Sequence, residues 1–123
     1  MITLDPLSPL PLNEQIKSGL RGLVARGLLR PRDPAPSVRG LAAALKVNPN
    51  TVARALRELA EEGLIETRRG ETGRIAAAAP RRAAAGLEET RRRLEDTIAA
   101  ARRAGLPWDE IAAAVSAARR KEK

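Results

Sequence analysis

Apolar residues recur at helical spacing in the first quarter of the chain. The apolar side chains on this stripe are Leu12, Ile16, Leu20 and Leu23. Intervals of four and three residues place them on one face of a helix. Gly27 stands where a left-handed residue closes the last turn of a helix. The spacing therefore predicts a first helix from about Pro11 to Arg26.

Two further helices follow, separated by a tight turn. Arg30–Pro36 contains three prolines and predicts a connection, because proline cannot continue a helix. Ser37 can cap the N-terminus of a short second helix, Val38–Leu45, by accepting from its free amides. Asn48 can cap a third helix in the same way, and Gly63 predicts where that helix ends.

The third helix has two chemically different faces. Its apolar face carries Val52, Leu56, Leu59 and Ala60. Its opposite face carries Asn50, Arg54 and Arg57. The acidic residues at its C-terminal end are Glu58, Glu61 and Glu62. Because the N-terminal part of the second helix of a helix-turn-helix contacts DNA bases, this pattern predicts such a motif with its acidic end directed away from phosphates.

Short strands are predicted directly after this helix. Leu64–Ala76 alternates apolar and polar residues on either side of a segment that contains glycine, Gly70–Gly73. Two strands around such a loop form a β-hairpin, which in this position would be the wing of a winged helix. Arg68, Arg69 and Arg74 would then face phosphates or a minor groove. A solvated basic hairpin is the alternative.

Helical spacing resumes beyond residue 80. A first seam contains Leu87, Leu94, Ile98 and Ala101. It predicts a helix from about Arg82 to Ala104, ended by Gly105. A second seam, after Pro107, contains Trp108, Ile111, Val115 and Ala118. The expected fold is mainly α: a winged helix-turn-helix of three helices plus a β-hairpin in residues 1–79, followed by an antiparallel helical hairpin in residues 80–123.

Composition narrows the function classes. The 123 residues carry a formal net charge of +8, which favours a polyanionic partner but is also a common means of solubility. Cys and His are absent, which removes thiol nucleophiles, imidazole bases and nearly every zinc site. We therefore expect neither an enzyme nor a bound metal or other cofactor. No apolar run reaches the length of a membrane span, so a cytoplasmic protein is expected.

Residues 12–76 resemble the winged-helix DNA-binding domain of the GntR family of bacterial transcription regulators. The matching stretches are PLNEQIKSGL, PSVRGLAAAL and VNPNTVARALRELAEEGLIETRRG. The resemblance implies that Ser37 contacts a phosphate and that Arg39 contacts a base edge or the backbone. The implied contacts on the recognition helix are Asn48, Asn50, Thr51 and Arg54. Arg69 and Gly70 match the tip of the wing, near the minor groove.

The sequence departs from the family pattern in two loops. Arg32 and Ala35 stand where the family usually has Gly and Leu before the PSVR motif. In the wing, Glu71 replaces a basic residue, and the glycine falls one position late, at Gly73. We therefore expect the wing to bind DNA more weakly than in relatives.

The short C-terminal region resembles that of the YtrA-type branch of the family, in which two helices form a dimer. The candidate dimer contacts are Leu87, Leu94, Ile98, Trp108, Ile111 and Val115. A helix pair of this size needs a partner for its apolar seam. A second subunit is the favoured partner, and the winged helix of the same chain is the alternative. Trp108 would be the bulkiest interface anchor or, alternatively, part of a small effector pocket.

The leading hypothesis is a homodimeric repressor that binds a palindromic operator in double-stranded DNA. Base discrimination would come from Arg39, Asn50 and Arg54, and phosphate contacts from Ser37, Arg68 and Arg69. A small-molecule effector is possible in this hypothesis, but its chemistry is unknown. Two alternatives stay open: a protein-interaction module of the antitoxin or adaptor type, and a nonspecific architectural DNA binder.

Overall fold

A computed structural model describes residues 2–68 and 73–121 of the chain. In order, its elements are α1 (Leu12–Ala25), α2 (Val38–Leu45), α3 (Pro49–Glu61), β1 (Ile65–Glu66), β2 (Arg74–Ile75), α4 (Ala79–Arg103) and α5 (Trp108–Lys121). This order confirms the mainly α class, with three helices and a β-hairpin before the C-terminal helices. The chain divides into two compact units, Met1–Ala85 and Gly86–Lys123. The division expected from the sequence, between residues 79 and 80, falls at the first residue of α4.

The core of the first unit lies where α1 packs against α3. Ile16 of α1 and Val52 and Leu59 of α3 are the largest fully buried side chains among the described residues. The other buried apolar residues are Leu20, Val24, Ala42, Ala55, Leu64, Ile65, Ile75, Ala76, Ala79 and Ala83. Aliphatic side chains from three helices and both strands thus form one cluster with the first turn of α4.

Side-chain caps define the two helices of the helix-turn-helix. The Ser37 hydroxyl oxygen accepts from the Gly40 backbone N–H at 3.0 Å, which begins α2. Asn48 Oδ1 accepts from the Asn50 N–H at 2.8 Å, which begins α3. Both predicted caps are confirmed. The turn between the helices is short, and Lys46 occupies it in the left-handed conformation, with φ of 58°.

One helix boundary follows from local sequence, and another depends on packing as well. Gly63 ends α3 in the left-handed conformation predicted for it, with φ of 84°. The predicted start of α4 near Arg82 was wrong, because the helix begins three residues earlier, at Ala79. Pro80 is compatible with the first turn of a helix, and burial of Ala79 and Ala83 in the core stabilises that turn.

The β-hairpin is antiparallel, with Ile65 opposite Ile75 and Glu66 opposite Arg74. The two isoleucines face the core, and the two charged residues face solvent. The other edge of β2 pairs with the connection before α2: the Arg32 N–H donates to the Ile75 carbonyl at 2.9 Å, and the Ile75 N–H donates to Asp33 at 2.9 Å. The sequence predicted only a connection there, because its three prolines do not look like a strand.

In the second unit, α4 and α5 are joined by a turn in which Gly105 has φ of 102°. The Arg102 guanidinium donates to the Leu106 carbonyl at 3.1 Å and lies 4.7 Å from the centre of the Trp108 ring. Beyond this turn the described parts of α4 and α5 share few close contacts. The expected pair of helices is present, but neither helix buries the apolar seam of the other. No helix in the described ranges is long and apolar enough to cross a membrane.

Candidate nucleic-acid interface

Helix α3 has one packed face and one open face. Val52, Ala55 and Leu59 are buried, whereas Asn50 and Arg54 on the opposite side are exposed. Arg57 is exposed on the same open side, and Thr51 is half-buried. The open face therefore combines an amide that can pair with adenine and guanidinium groups that can pair with guanine or phosphate.

The two capping residues retain hydrogen-bonding capacity towards a ligand. Ser37 uses its hydroxyl oxygen as the cap acceptor, so its O–H remains able to donate. Asn48 uses Oδ1, so its side-chain NH2 remains able to donate. Both residues are exposed. A phosphate oxygen could therefore be bound at either cap without loss of the helix start.

Arg39 is the second residue of α2 and is exposed. Within residues 2–68 and 73–121 it forms no ion pair. The N-terminus of a helix carries a partial positive charge, so the first turn of α2 favours an anion next to this guanidinium. The position of Arg39 is thus suited to DNA, whether it contacts a phosphate or a base.

A polar network joins α1 to the C-terminal end of α3. Its centre is Lys17, a buried residue whose Nζ lies 2.8 Å from Glu62, 3.1 Å from Glu14 and 3.3 Å from Glu58. Asn13 Nδ2 donates to Glu58 at 3.0 Å, and Arg21 pairs with Glu62. The acidic end of α3 is therefore attached to α1, a contact that the charge pattern of α3 alone does not predict.

A signal for this network exists in the sequence. Asn13, Lys17 and Arg21 recur every four residues beside the apolar stripe of α1. Glu58 and Glu62 have the same spacing beside the apolar face of α3. Two polar stripes that flank packed faces and carry opposite charge are expected to meet.

The charges of the network shift the pKa values of its members. The hydrogen bond to Glu62 raises the pKa of Lys17 above its ordinary value, against the opposing effect of burial. Partial burial alone would raise the pKa of Glu62, but hydrogen bonds from Lys17 and Arg21 outweigh it and lower that pKa. The pKa of Glu58 is also lowered, because hydrogen bonds from Arg54, Lys17 and Asn13 outweigh the effect of its desolvation.

The described part of the wing contains two exposed candidates, Arg68 and Arg74. Arg74 Nη1 also donates to the Arg32 carbonyl at 3.1 Å, which connects β2 to the segment before α2. The remaining candidates of the wing, Arg69 and Gly70, and the unusual Glu71 lie outside the described residues.

Comparison with known proteins decides the family. Residues 12–75, more than half of the chain, match the family described as "Bacterial regulatory proteins, gntR family". The chain belongs to the GntR family. This region contains the three helices and the hairpin described above.

Individual transcriptional regulators are similar to this chain in sequence and in structure. The chain is 49% identical over 70 residues to the HTH-type transcriptional repressor YtrA of Bacillus subtilis (strain 168). That stretch covers 57% of this chain and 54% of the repressor, so the chain spans about half the length of this relative. A GntR family transcriptional regulator from Listeria monocytogenes has a TM-score of 0.69 and 27% identity, over 92% of this chain and 97% of that one.

A further solved structure contains DNA. The AraR DNA-binding domain in complex with operator ORX1 has a TM-score of 0.54 and 25% identity to this chain. The match covers 60% of this chain and 92% of that domain. A DNA-binding domain of similar fold is thus known bound to an operator.

The polar network predicts a defined pH dependence of stability. The pKa values of Glu58 and Glu62 are lowered in the folded protein. Their contribution to the free energy of unfolding is therefore complete above the ordinary pKa of glutamate, about 4.3, and is lost as the pH falls through their pKa values in the folded protein. Because the pKa of Lys17 is raised, its contribution is complete below about 10.4 and is lost at higher pH.

Glu62→Gln should therefore lower the melting temperature at pH 7 by about 4–8 °C, for a loss of about 1 kcal/mol. The difference from the wild type should shrink as the pH is lowered towards 2. Glu88→Gln removes an exposed pair with Arg91 and serves as the control. Equal melting curves of Glu62→Gln and Glu88→Gln at pH 7 would contradict this role of the network.

Proposed function

We propose that this GntR-family protein is a sequence-specific DNA-binding transcriptional regulator that acts as a homodimeric repressor at a palindromic operator. The observation that carries the proposal is the division of α3 into a buried face around Val52 and Leu59 and an open face with Asn50 and Arg54. The operator complex of the similar AraR domain supports the use of such a face for DNA. Regulation of this kind fits a cytoplasmic protein that is not an enzyme.

The proposed contacts fall into two groups. Arg39, Asn50 and Arg54 would contact base edges, since guanidinium groups pair with guanine and amides with adenine in the major groove. Asn48 and Thr51 would orient the start of α3 on the DNA. The phosphate contacts would come from Ser37, Arg68 and Arg69. Such contacts supply affinity that falls with salt, whereas the base contacts supply preference among sequences.

The homodimer is supported by the exposed apolar seam of the second unit. Leu87, Leu94, Trp108 and Val115 are 49%, 58%, 60% and 53% exposed. Ile98 and Ile111 are half-buried on the same helices. A second copy of the same unit would remove this surface from water, and a two-fold dimer presents two recognition helices to the two halves of a palindrome. The role of Trp108 in an effector pocket stays a prediction.

A nonspecific architectural DNA binder is the second candidate, because the net charge of +8 would support it. Several basic residues of α4 are, however, paired with glutamates of the same helix: Arg91 with Glu88, and Arg92 with Glu89. Such exposed pairs along a helix favour a solvated surface over a phosphate-binding one. The open face of α3 thus remains the best candidate for DNA contact.

Arg39→Ala and Arg54→Ala test the base contacts. Each should reduce the preference for operator over unrelated DNA by about tenfold, since a good arginine–base pair contributes roughly 1–3 kcal/mol of discrimination. Fluorescence anisotropy with labelled operator and shuffled duplexes measures both affinities, and circular dichroism checks the fold. Arg92→Ala is the matched control, because it removes the same charge from α4. An unchanged preference in both test variants would contradict the assignment.

Leu94→Glu tests the dimer. A charge in the middle of the apolar seam should convert the dimer into a monomer, because the carboxylate would lose its water in the interface. Arg92→Glu introduces the same side chain on the opposite face of α4 and should leave the dimer intact. Sedimentation velocity measures the mass. A wild-type protein that is monomeric at micromolar concentration would contradict the proposal and favour the protein-interaction module.

A further inference from the structure

Glu58 forms hydrogen bonds in two directions from the last turn of α3. Its Oε1 accepts from Asn13 Nδ2 at 3.0 Å and from Lys17 Nζ at 3.3 Å, both on α1. Its Oε2 accepts from Arg54 Nε at 3.3 Å, one turn earlier on α3. The side chain of Glu58 is 26% exposed, whereas that of Arg54 is 61% exposed. One carboxylate therefore connects the packed helix pair to a side chain on the open face.

This contact occupies only one edge of the Arg54 guanidinium. Nε donates to Glu58, and the N–H groups of Nη1 and Nη2 are the ones that pair with guanine or with a phosphate. A long, exposed arginine samples many rotamers, and binding to a base restricts them. A partner at Nε that is itself fixed by two residues of α1 reduces this freedom before DNA is bound.

We propose that Glu58 is a positioning residue for Arg54, which presents the guanidinium to DNA and thereby increases sequence preference. The inference rests on the proposed function, since it concerns the same DNA-binding face. Glu58 is ionised at neutral pH, because its hydrogen bonds lower its pKa below the ordinary value. Its negative charge also repels phosphates. Loss of the Glu58 charge should therefore raise the affinity for any DNA duplex and lower the preference for a specific sequence over unrelated DNA.

Two glutamate variants separate charge from positioning. Glu61 is an exposed residue of the same helix, and its side chain makes no hydrogen bond or ion pair with other described residues. Glu61→Gln removes one negative charge and should strengthen binding to any duplex to the same extent. Glu58→Gln removes the same charge and should strengthen binding to shuffled DNA, but lower the ratio of specific to nonspecific affinity about twofold to fivefold.

The experiment uses the full chain and two duplexes: one selected by the wild-type protein from random DNA, and one of the same composition in shuffled order. Affinities of the wild type, Glu58→Gln and Glu61→Gln are measured for both duplexes. The same pair of variants is then measured in an Arg54→Ala background, where Glu58→Gln should no longer change the ratio. Glu62→Gln, which breaks the contacts of Lys17 and Arg21 but not that of Arg54, should lower stability and leave the ratio unchanged.

The outcomes distinguish the two proposals. A wild type that binds both duplexes equally would overturn the proposed function. A wild type with a clear preference that Glu58→Gln retains in full would overturn only the positioning role. The same loss of preference in Glu58→Gln with and without Arg54 would also overturn it, because the effect would not pass through the guanidinium.

Discussion

Packing of α1 against α3 is the most extensive contact between two elements in the described parts of the chain. It buries Ile16, Val52 and Leu59 completely. Full burial of an aliphatic side chain contributes roughly 1.5–3 kcal/mol, whereas an exposed ion pair contributes about 0–1 kcal/mol. Burial of the apolar side chains therefore determines which face of α3 turns towards the core. Asn50 and Arg54 are open to solvent because the opposite side of the helix is in the core.

Polar groups around this contact hold the two ends of α3 in place. Lys17 is buried and would be costly without partners, and three carboxylates surround it. Two of them, Glu58 and Glu62, tie the C-terminal end of α3 to α1, while the Asn48 cap fixes its N-terminal end. The helix that is proposed to contact DNA is thus held at both ends by groups that leave its open face accessible.

Local signals made much of the fold predictable. Ser37, Asn48 and Gly63 act through backbone groups only a few residues away, so their roles could be inferred from the sequence alone. The pairing of Arg32 with Ile75 could not, since it joins segments far apart in the chain and the connection is rich in proline. The start of α4 was missed for a similar reason, because the burial of Ala79 depends on a core built by other elements.

In the candidate site, too, local features could be predicted from the sequence, whereas contacts between distant segments could not. Exposure of Asn50 and Arg54 followed from helical periodicity, because an apolar stripe on one side leaves the other side open. The contact between Glu58 and Lys17 joins residues 41 positions apart, and the polar stripes that carry them meet because the apolar faces of α1 and α3 pack together. The charge pattern of α3 by itself predicts an acidic end directed away from phosphates, but it does not predict the attachment of that end to α1.

Selection of bound sequences from random double-stranded DNA by the purified full chain tests whether α3 recognises DNA as part of a two-fold dimer. We expect a palindromic consensus whose half-sites are separated by about one helical turn or a multiple of it, since two copies of α3 would each occupy one half-site. Recovery of DNA without enrichment of any sequence, despite measurable binding, would contradict it.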